Sequence, residues 1–140
     1  AWTAWLDATS ATFGLSDRRG EELSSGGDNE IVLCAMQAGW DVGYFPQLRL
    51  THLIPPSRLQ TKYLSQLNRS IQQSWIQVLA AHNACPWPPL SRPGAALRKL
   101  KALITYRPWT SDAARVRWLG TCGHFDGRTM GAPKVRTGFH

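Results

Sequence analysis

The stretch Ser24-Ser25-Gly26-Gly27-Asp28-Asn29-Glu30-Ile31-Val32-Leu33 decides the predicted fold, because irregular chain changes to helix within it. Serine, glycine and aspartate ahead of an apolar run are typical of a helix start. Asp28 is therefore the candidate N-cap, and Glu30 would lie in the first turn, where the helix dipole favours negative charge. The helix from Asp28 to Ala38 is apolar almost all round, which predicts that it is buried, and Gly39 would end it. A capped, buried helix is enough to explain this pattern.

The continuation of the chain carries a second signal, in the order and spacing of a longer set of residues. That set consists of Gly26, Gly27, Asp28, Asn29, Glu30 and Ile31, followed by Tyr44, Pro46, His52 and Arg58. It resembles the bacterial type of family 2 glycosyltransferase (GT-A type). In that family a Gly-Glu-Asp-x-Glu-Leu motif opens a helix, and a Tyr-x-Pro element, a strand ending in histidine and an arginine follow. The first acid of the motif is Gly27 here, and the resemblance covers about residues 13–80.

The resemblance implies a role for each of five residues. Asp28 would be the base that activates the acceptor hydroxyl, with Asn29 and Glu30 positioning the acceptor or the loop. His52 would be a ligand of a divalent metal ion, Mg²⁺ or Mn²⁺, and Arg58 would contact the diphosphate of a nucleotide-sugar donor. The plainer interpretations are a histidine hydrogen-bonded at a strand end and a solvated loop arginine.

Several motifs that the complete reaction needs are missing from the sequence. The family binds its donor in an N-terminal α/β half with an Asp-x-Asp metal motif, and this sequence has no Asp-x-Asp, Gly-x-Gly-x-x-Gly or P-loop. Gly-x-Ser-x-Gly and His-Glu-x-x-His are also absent. We therefore expect the acceptor-side, C-terminal portion of an inverting glycosyltransferase, inactive by itself and preceded by further chain. Its acceptor would be a saccharide or a lipid-linked saccharide.

Elsewhere the periodicity predicts an α+β domain that is mostly helical, with four to five helices and a short two-stranded β element. The strands would cover residues 41–45 and 48–53, and the longest helix residues 59–82. A basic amphipathic helix is expected over 95–106, and a further helix from Ser111 ends near Gly120 or Gly123. The predicted division is a catalytic part (1–83), a helical extension (84–126) and a poorly ordered tail (127–140).

The charge distribution and the cysteine content indicate which kinds of partner and which cellular compartment fit the protein. Residues 1–30 carry a net charge of −4 and residues 31–140 one of +11. Three widely spaced cysteines favour a reducing compartment over a disulfide framework or a zinc site. We expect a cytoplasmic protein, in one interpretation peripheral at the inner membrane face.

Four further possibilities stay open. The basic body also fits a helical nucleic-acid-binding or interaction domain, although no motif of that class is present. The helix over 95–106 could lie on an anionic membrane surface or pack on its own domain. An apolar face left by the missing donor half would favour self-association into a homo-oligomer.

Overall fold

A computed structural model describes residues 27–131 of the chain. Four α-helices follow one another: α1 (Gly27–Gln37), α2 (Thr61–Ala81), α3 (Arg92–Tyr106) and α4 (Asp112–Met130). A 3₁₀ helix, Pro56–Leu59, precedes α2. The core is the pair α2 and α4; α3 packs on α4, and α1 lies against α2. The part of the predicted tail beyond residue 131 lies outside the described residues, and the three-part division of the chain stays a prediction.

The α+β class and its two-stranded element are wrong for this part of the chain. In the described part of the chain, residues 41–55 form no strand. Their one turn is closed by a hydrogen bond of 3.0 Å from the amide of Leu48 to the carbonyl of Phe45. Every side chain in this segment is exposed, with Tyr44 at 90% and Leu50 at 92%. Alternating side chains form a strand only where a neighbouring strand satisfies the backbone, and a two-stranded ribbon alone is marginally stable.

The prediction that α1 is buried on all sides is also wrong. Glu30 and Cys34, one turn apart, are its buried residues, whereas Val32 and Met36 are exposed. The end of the helix agrees with the prediction, since Gly39 adopts φ +82°. The amide of Gly39 bonds to the carbonyl of Met36 and that of Trp40 to the carbonyl of Ala35, each at 3.0 Å. This pair of bonds is the Schellman arrangement in which glycine is favoured.

Helix α4 does not end at Gly120 or Gly123 but continues to Met130. These two glycines and Gly127 are spaced three and four residues apart, so they share one face of the helix, and all three are buried. A Cβ added to Gly123 would overlap the carbonyl oxygen of Arg69 and lie 2.8 Å from its carbonyl carbon. The glycines are therefore where the backbone of α2 approaches α4, not where α4 stops.

Because α4 approaches so closely, α2 packs against it with a side that carries polar residues. Arg69 and Gln73 belong to the side that the sequence marks as polar, yet an added Cβ on α4 would meet their carbonyl groups. Their long side chains reach past the contact, Arg69 to Asp126 and the amide of Gln73 to the sulfur of Met130. A glycine-lined helix can pack on a polar face because it contacts backbone rather than side chains.

The connector between α2 and α3 is held against the end of α4. The guanidinium of Arg128 donates two hydrogen bonds, of 2.9 and 3.1 Å, to the carbonyl oxygen of Pro88, and the amide of Leu90 donates to the carbonyl of Arg128 at 3.0 Å. Ser91 then caps α3 by accepting a bond from the amide of Gly94. None of the helices between residues 27 and 131 is long and apolar enough to cross a membrane.

Candidate functional site

The acidic turn that opens α1 holds three of the five residues assigned by resemblance. Gly27 is the first residue of α1, so Asp28 is the second helical residue and not the N-cap that the sequence predicted. The side chain of Asp28 lies outside the described part of the structure, and its role as base stays a prediction. Asn29 is exposed and Glu30 is buried.

Glu30 is an unusual residue for this position, because its carboxyl group is buried at 3% exposure. Its Oε1 has no hydrogen-bond partner among the described residues. Burial raises the pKa of Glu30, since the charged carboxylate loses contact with water. Burial also raises the pKa of the neighbouring Cys34 thiol, and the negative charge of Glu30 raises it further. Both shifts are toward the uncharged form, and a thiol whose pKa is raised is less reactive than a thiolate.

His52 and Arg58 lie further along the chain, in exposed positions. His52 belongs to the irregular segment 41–55 and Arg58 to the 3₁₀ helix. Among the described side chains, no hydrogen bond or ion pair joins either of them to Asn29 or Glu30. The candidate residues thus follow one another along α1, the irregular segment 41–55 and the 3₁₀ helix, and no contact among the described side chains joins them into one site.

The metal ion implied by the resemblance would need ligands from outside the described residues. Between residues 27 and 131 there is no group of three His, Cys, Asp or Glu side chains that could hold a metal ion. His52 would therefore contribute at most one ligand, and an Asp-x-Asp motif is not part of this sequence. The described residues alone do not fit a metal site.

A charge cluster that the sequence did not suggest joins three helices. Asp126 on α4 accepts from Arg69 on α2 at 2.7 Å and from Lys99 on α3. These side chains are 47%, 29% and 21% exposed for Arg69, Lys99 and Asp126, so solvent screens the cluster only in part. The signal was available, because Asp126 is the single acid after Asp112 in a strongly basic region. Its partners place it in the helix packing rather than in a reaction centre.

Two concave surfaces lie away from the acidic turn. One, of about 330 Å³, is formed where the connector meets the ends of α2 and α4 and includes Cys85, Trp87 and Arg128. The other, of about 480 Å³, lies beside α2 and α4 and includes Arg117 and His124. Among the described residues, no carboxylate lines either surface. Neither therefore offers the carboxylate base that the resemblance implies.

His124 illustrates how these surfaces are built. Its ring meets Trp87 edge to face, with 4.8 Å between ring centroids and 82° between planes. Burial lowers the pKa of His124, and the positive charge of Arg128 lowers it further. The imidazole consequently favours its neutral form and packs as an aromatic group.

Comparison with known proteins adds no relative. No protein-family model, no curated protein and no solved structure gives a significant match to the chain. The family resemblance therefore depends on the residues of this sequence alone.

Proposed function

We propose that this chain is the acceptor-side, C-terminal portion of an inverting glycosyltransferase that transfers a sugar from a nucleotide-sugar donor. The observation that carries the proposal is the ordered set from Asp28 to Arg58. Its acidic residues fall in the first turn of a helix, and a glycine ends that helix. An irregular segment with the Tyr-x-Pro element and His52 follows, and then Arg58.

In this reaction the acceptor oxygen attacks the anomeric carbon of the donor as the bond to the nucleotide diphosphate breaks. A carboxylate takes the acceptor proton, and Asp28 is the residue proposed for that step. Arg58 would pair with phosphate oxygens through its planar guanidinium. The resemblance implies a divalent metal ion at the leaving diphosphate, for which His52 is the candidate ligand among the described residues.

The apolar surface around α1 supports the view that another part of the protein packs there. Val32 and Met36 on α1 are exposed, and so are Trp40, Val42 and Phe45 in the segment that follows. Contiguous exposed apolar surface of this kind usually marks a contact site. We propose that it is covered by the donor-binding half, which would supply the Asp-x-Asp motif. A chain lacking that half should self-associate through the same surface.

The test is the substitution Asp28→Asn in the whole protein that carries this chain. Loss of the general base should lower the transfer rate by roughly 10²–10⁴-fold, while the affinity for the nucleotide-sugar donor changes less than about twofold. The matched control is Asp41→Asn, which removes another acid from the exposed segment and should leave the rate unchanged. Retention of a rate within about tenfold of the wild type by Asp28→Asn would disprove the assignment.

A further inference from the structure

Helix α3 packs on α4 through its small residues. Ala95 and Ala102 are buried, at 3% and 7% exposure. Lys99, which lies between them on the same face, reaches Asp126 on α4. The spacing of four and three residues puts these three residues on one side of the helix. The inward side of α3 is therefore formed by two alanines and a lysine whose charge is paired.

The opposite side of α3 carries three of its four leucine and isoleucine residues and points away from the protein, whereas Leu103 is half-buried. Leu97, Leu100 and Ile104 are 69%, 54% and 64% exposed, and their spacing of three and four residues forms one stripe. An amphipathic helix of a globular protein normally turns such a stripe toward the core. Here the arrangement is reversed, so α3 carries an apolar stripe that the described residues leave uncovered.

Basic residues flank one side of this stripe. Residues 92–107 contain five bases and no acid, and of these Arg98 and Lys101 are exposed on the flank of the stripe. A shallow groove of about 630 Å³ runs beside it, lined by Pro89, Leu90, Leu97 and the same two bases. Trp109, at 69% exposure, follows the end of α3. The surface formed by Leu97, Leu100, Ile104, Arg98 and Lys101 is called the outer face of α3 below.

The chemistry of the outer face favours one kind of partner. A nucleic-acid surface places bases at the centre of the contact, where they meet phosphates, but the centre here is leucine and isoleucine. A second copy of the chain, docked through the same face, would bring two sets of bases together with no acid between residues 92 and 107 to pair with them. An anionic lipid surface satisfies both parts, because acyl chains accept the apolar stripe and phosphates accept the flanking bases.

We propose that the outer face of α3 docks in the interface of an anionic lipid bilayer, with the helix parallel to the membrane plane. At 1.5 Å per residue the 15-residue helix is about 22 Å long, too short to span the hydrocarbon layer but suitable to lie along its surface. This inference does not depend on the transferase assignment. It would bring a transferase close to an acceptor carried on a lipid.

The test measures cosedimentation of the 140-residue chain with vesicles at physiological ionic strength. Vesicles of equal parts phosphatidylcholine and phosphatidylglycerol should bind the chain roughly tenfold or more tightly than vesicles of phosphatidylcholine alone. The combined substitution Leu97→Asn, Leu100→Asn and Ile104→Asn should weaken binding to the anionic vesicles by roughly tenfold or more. Because these side chains are exposed, circular dichroism should still report a folded helical protein, with the thermal midpoint lowered by only a few degrees because asparagine has a lower helix propensity than leucine.

Two further variants separate the proposal from simple charge attraction. Arg98→Gln combined with Lys101→Gln should also weaken anionic binding roughly tenfold. The matched control replaces three exposed leucines outside α3, Leu48, Leu50 and Leu53, with asparagine and should bind like the wild type.

Three results would overturn the proposal. The first is absence of wild-type binding to anionic vesicles. The second is binding that survives loss of the apolar stripe but not loss of the two bases, since that is the behaviour of a basic surface for nucleic acid. The third is a dimer in sedimentation that the stripe variant alone abolishes.

Discussion

Substitution of Gly123 by alanine tests the contact on which the packing of α2 and α4 depends. The new Cβ would overlap the carbonyl oxygen of Arg69, and it would lie 2.8 Å from the carbonyl carbon and 3.0 Å from the Cα of that residue. Non-bonded carbon atoms prefer a separation of about 3.5–4.0 Å. The obstacle is backbone inside a helix, which cannot rotate away as a side chain can. The two helices would have to separate by about an ångström along their shared face.

The magnitude is the difference between two opposed effects. Overpacking a well-filled contact costs about 1–3 kcal/mol, and a backbone overlap belongs at the upper end of that range. Replacing glycine by alanine inside a helix returns about 1 kcal/mol of helix propensity. The net expectation is a loss of about 2 kcal/mol in the free energy of unfolding, or roughly 10 °C in the thermal midpoint for a domain of this size.

Gly120 provides a matched comparison three residues away on the same helix. An added Cβ there would meet the Asn68 side chain, 2.9 Å from its Cγ, rather than backbone. Gly120→Ala should cost the 3.0 Å hydrogen bond from Asn68 Nδ2 to the carbonyl of Val116, about 1 kcal/mol, which the gain in propensity offsets. In an Asn68→Ala background the same substitution should stabilise the protein by about 1 kcal/mol.

Urea or thermal unfolding followed by circular dichroism measures all four variants. The reasoning fails if Gly123→Ala unfolds at the wild-type midpoint or above it. It also fails if Gly120→Ala and Gly123→Ala are equally destabilising, because the distinction between side chain and backbone as the obstacle would then have no effect.

Two further predictions concern the buried and paired carboxylates. Burial raises the pKa of Glu30 above its unfolded value of 4.5, so the contribution of Glu30 to stability is full below that pH and is lost as the pH rises through the folded pKa. The Glu30→Gln variant should therefore become more stable relative to the wild type as the pH increases from 4.5 to neutral. A stability difference that does not change with pH in chemical unfolding would contradict this. Asp126→Asn should lower the free energy of unfolding by about 1–2 kcal/mol, since it removes two charge-assisted contacts, to Arg69 and Lys99. High salt should reduce this loss, and Asp112→Asn, an exposed acid in the first turn of α4, is the control expected to change stability by about 0.5 kcal/mol.

The sequence was sufficient for features that depend on neighbouring residues. The existence of the four helices, the glycine that ends α1 and the cap at Ser111 all follow from local periodicity and capping chemistry. These features need no knowledge of what packs against them.

The strands could not be judged from the sequence, because a strand is a property of a pair. Residues 41–45 and 48–53 are strand candidates, and residues 48–52 alternate as a half-buried strand would, but no ladder within the described residues satisfies their backbone. Alternation therefore predicts a readiness to pair, and pairing requires a sheet edge. The same limit applies to the candidate site, where Asp28, His52 and Arg58 are ordered along the chain but their assembly depends on what packs against them.

The glycines of α4 show the opposite limit. In the sequence Gly120 and Gly123 indicate a helix end, because glycine lowers helix propensity by about 1 kcal/mol. The spacing of three and four residues that also includes Gly127 is a second signal, and it indicates a helix face rather than a boundary. Propensity alone cannot distinguish the two, because tertiary packing supplies most of the stability of a helix in a protein.

Hydrophobic pattern and burial disagree in two places, and both disagreements have the same physical meaning. The segment around Trp40 and the outer face of α3 each expose apolar side chains at regular spacing. An exposed leucine or isoleucine contributes nothing to stability through burial, whereas covering it with a partner contributes about 1.5–3 kcal/mol. The two surfaces differ in charge: the first has few bases, as a surface for another part of a protein should, and the second is flanked by Arg98 and Lys101. This difference is why we assign protein to the first and an anionic bilayer to the second.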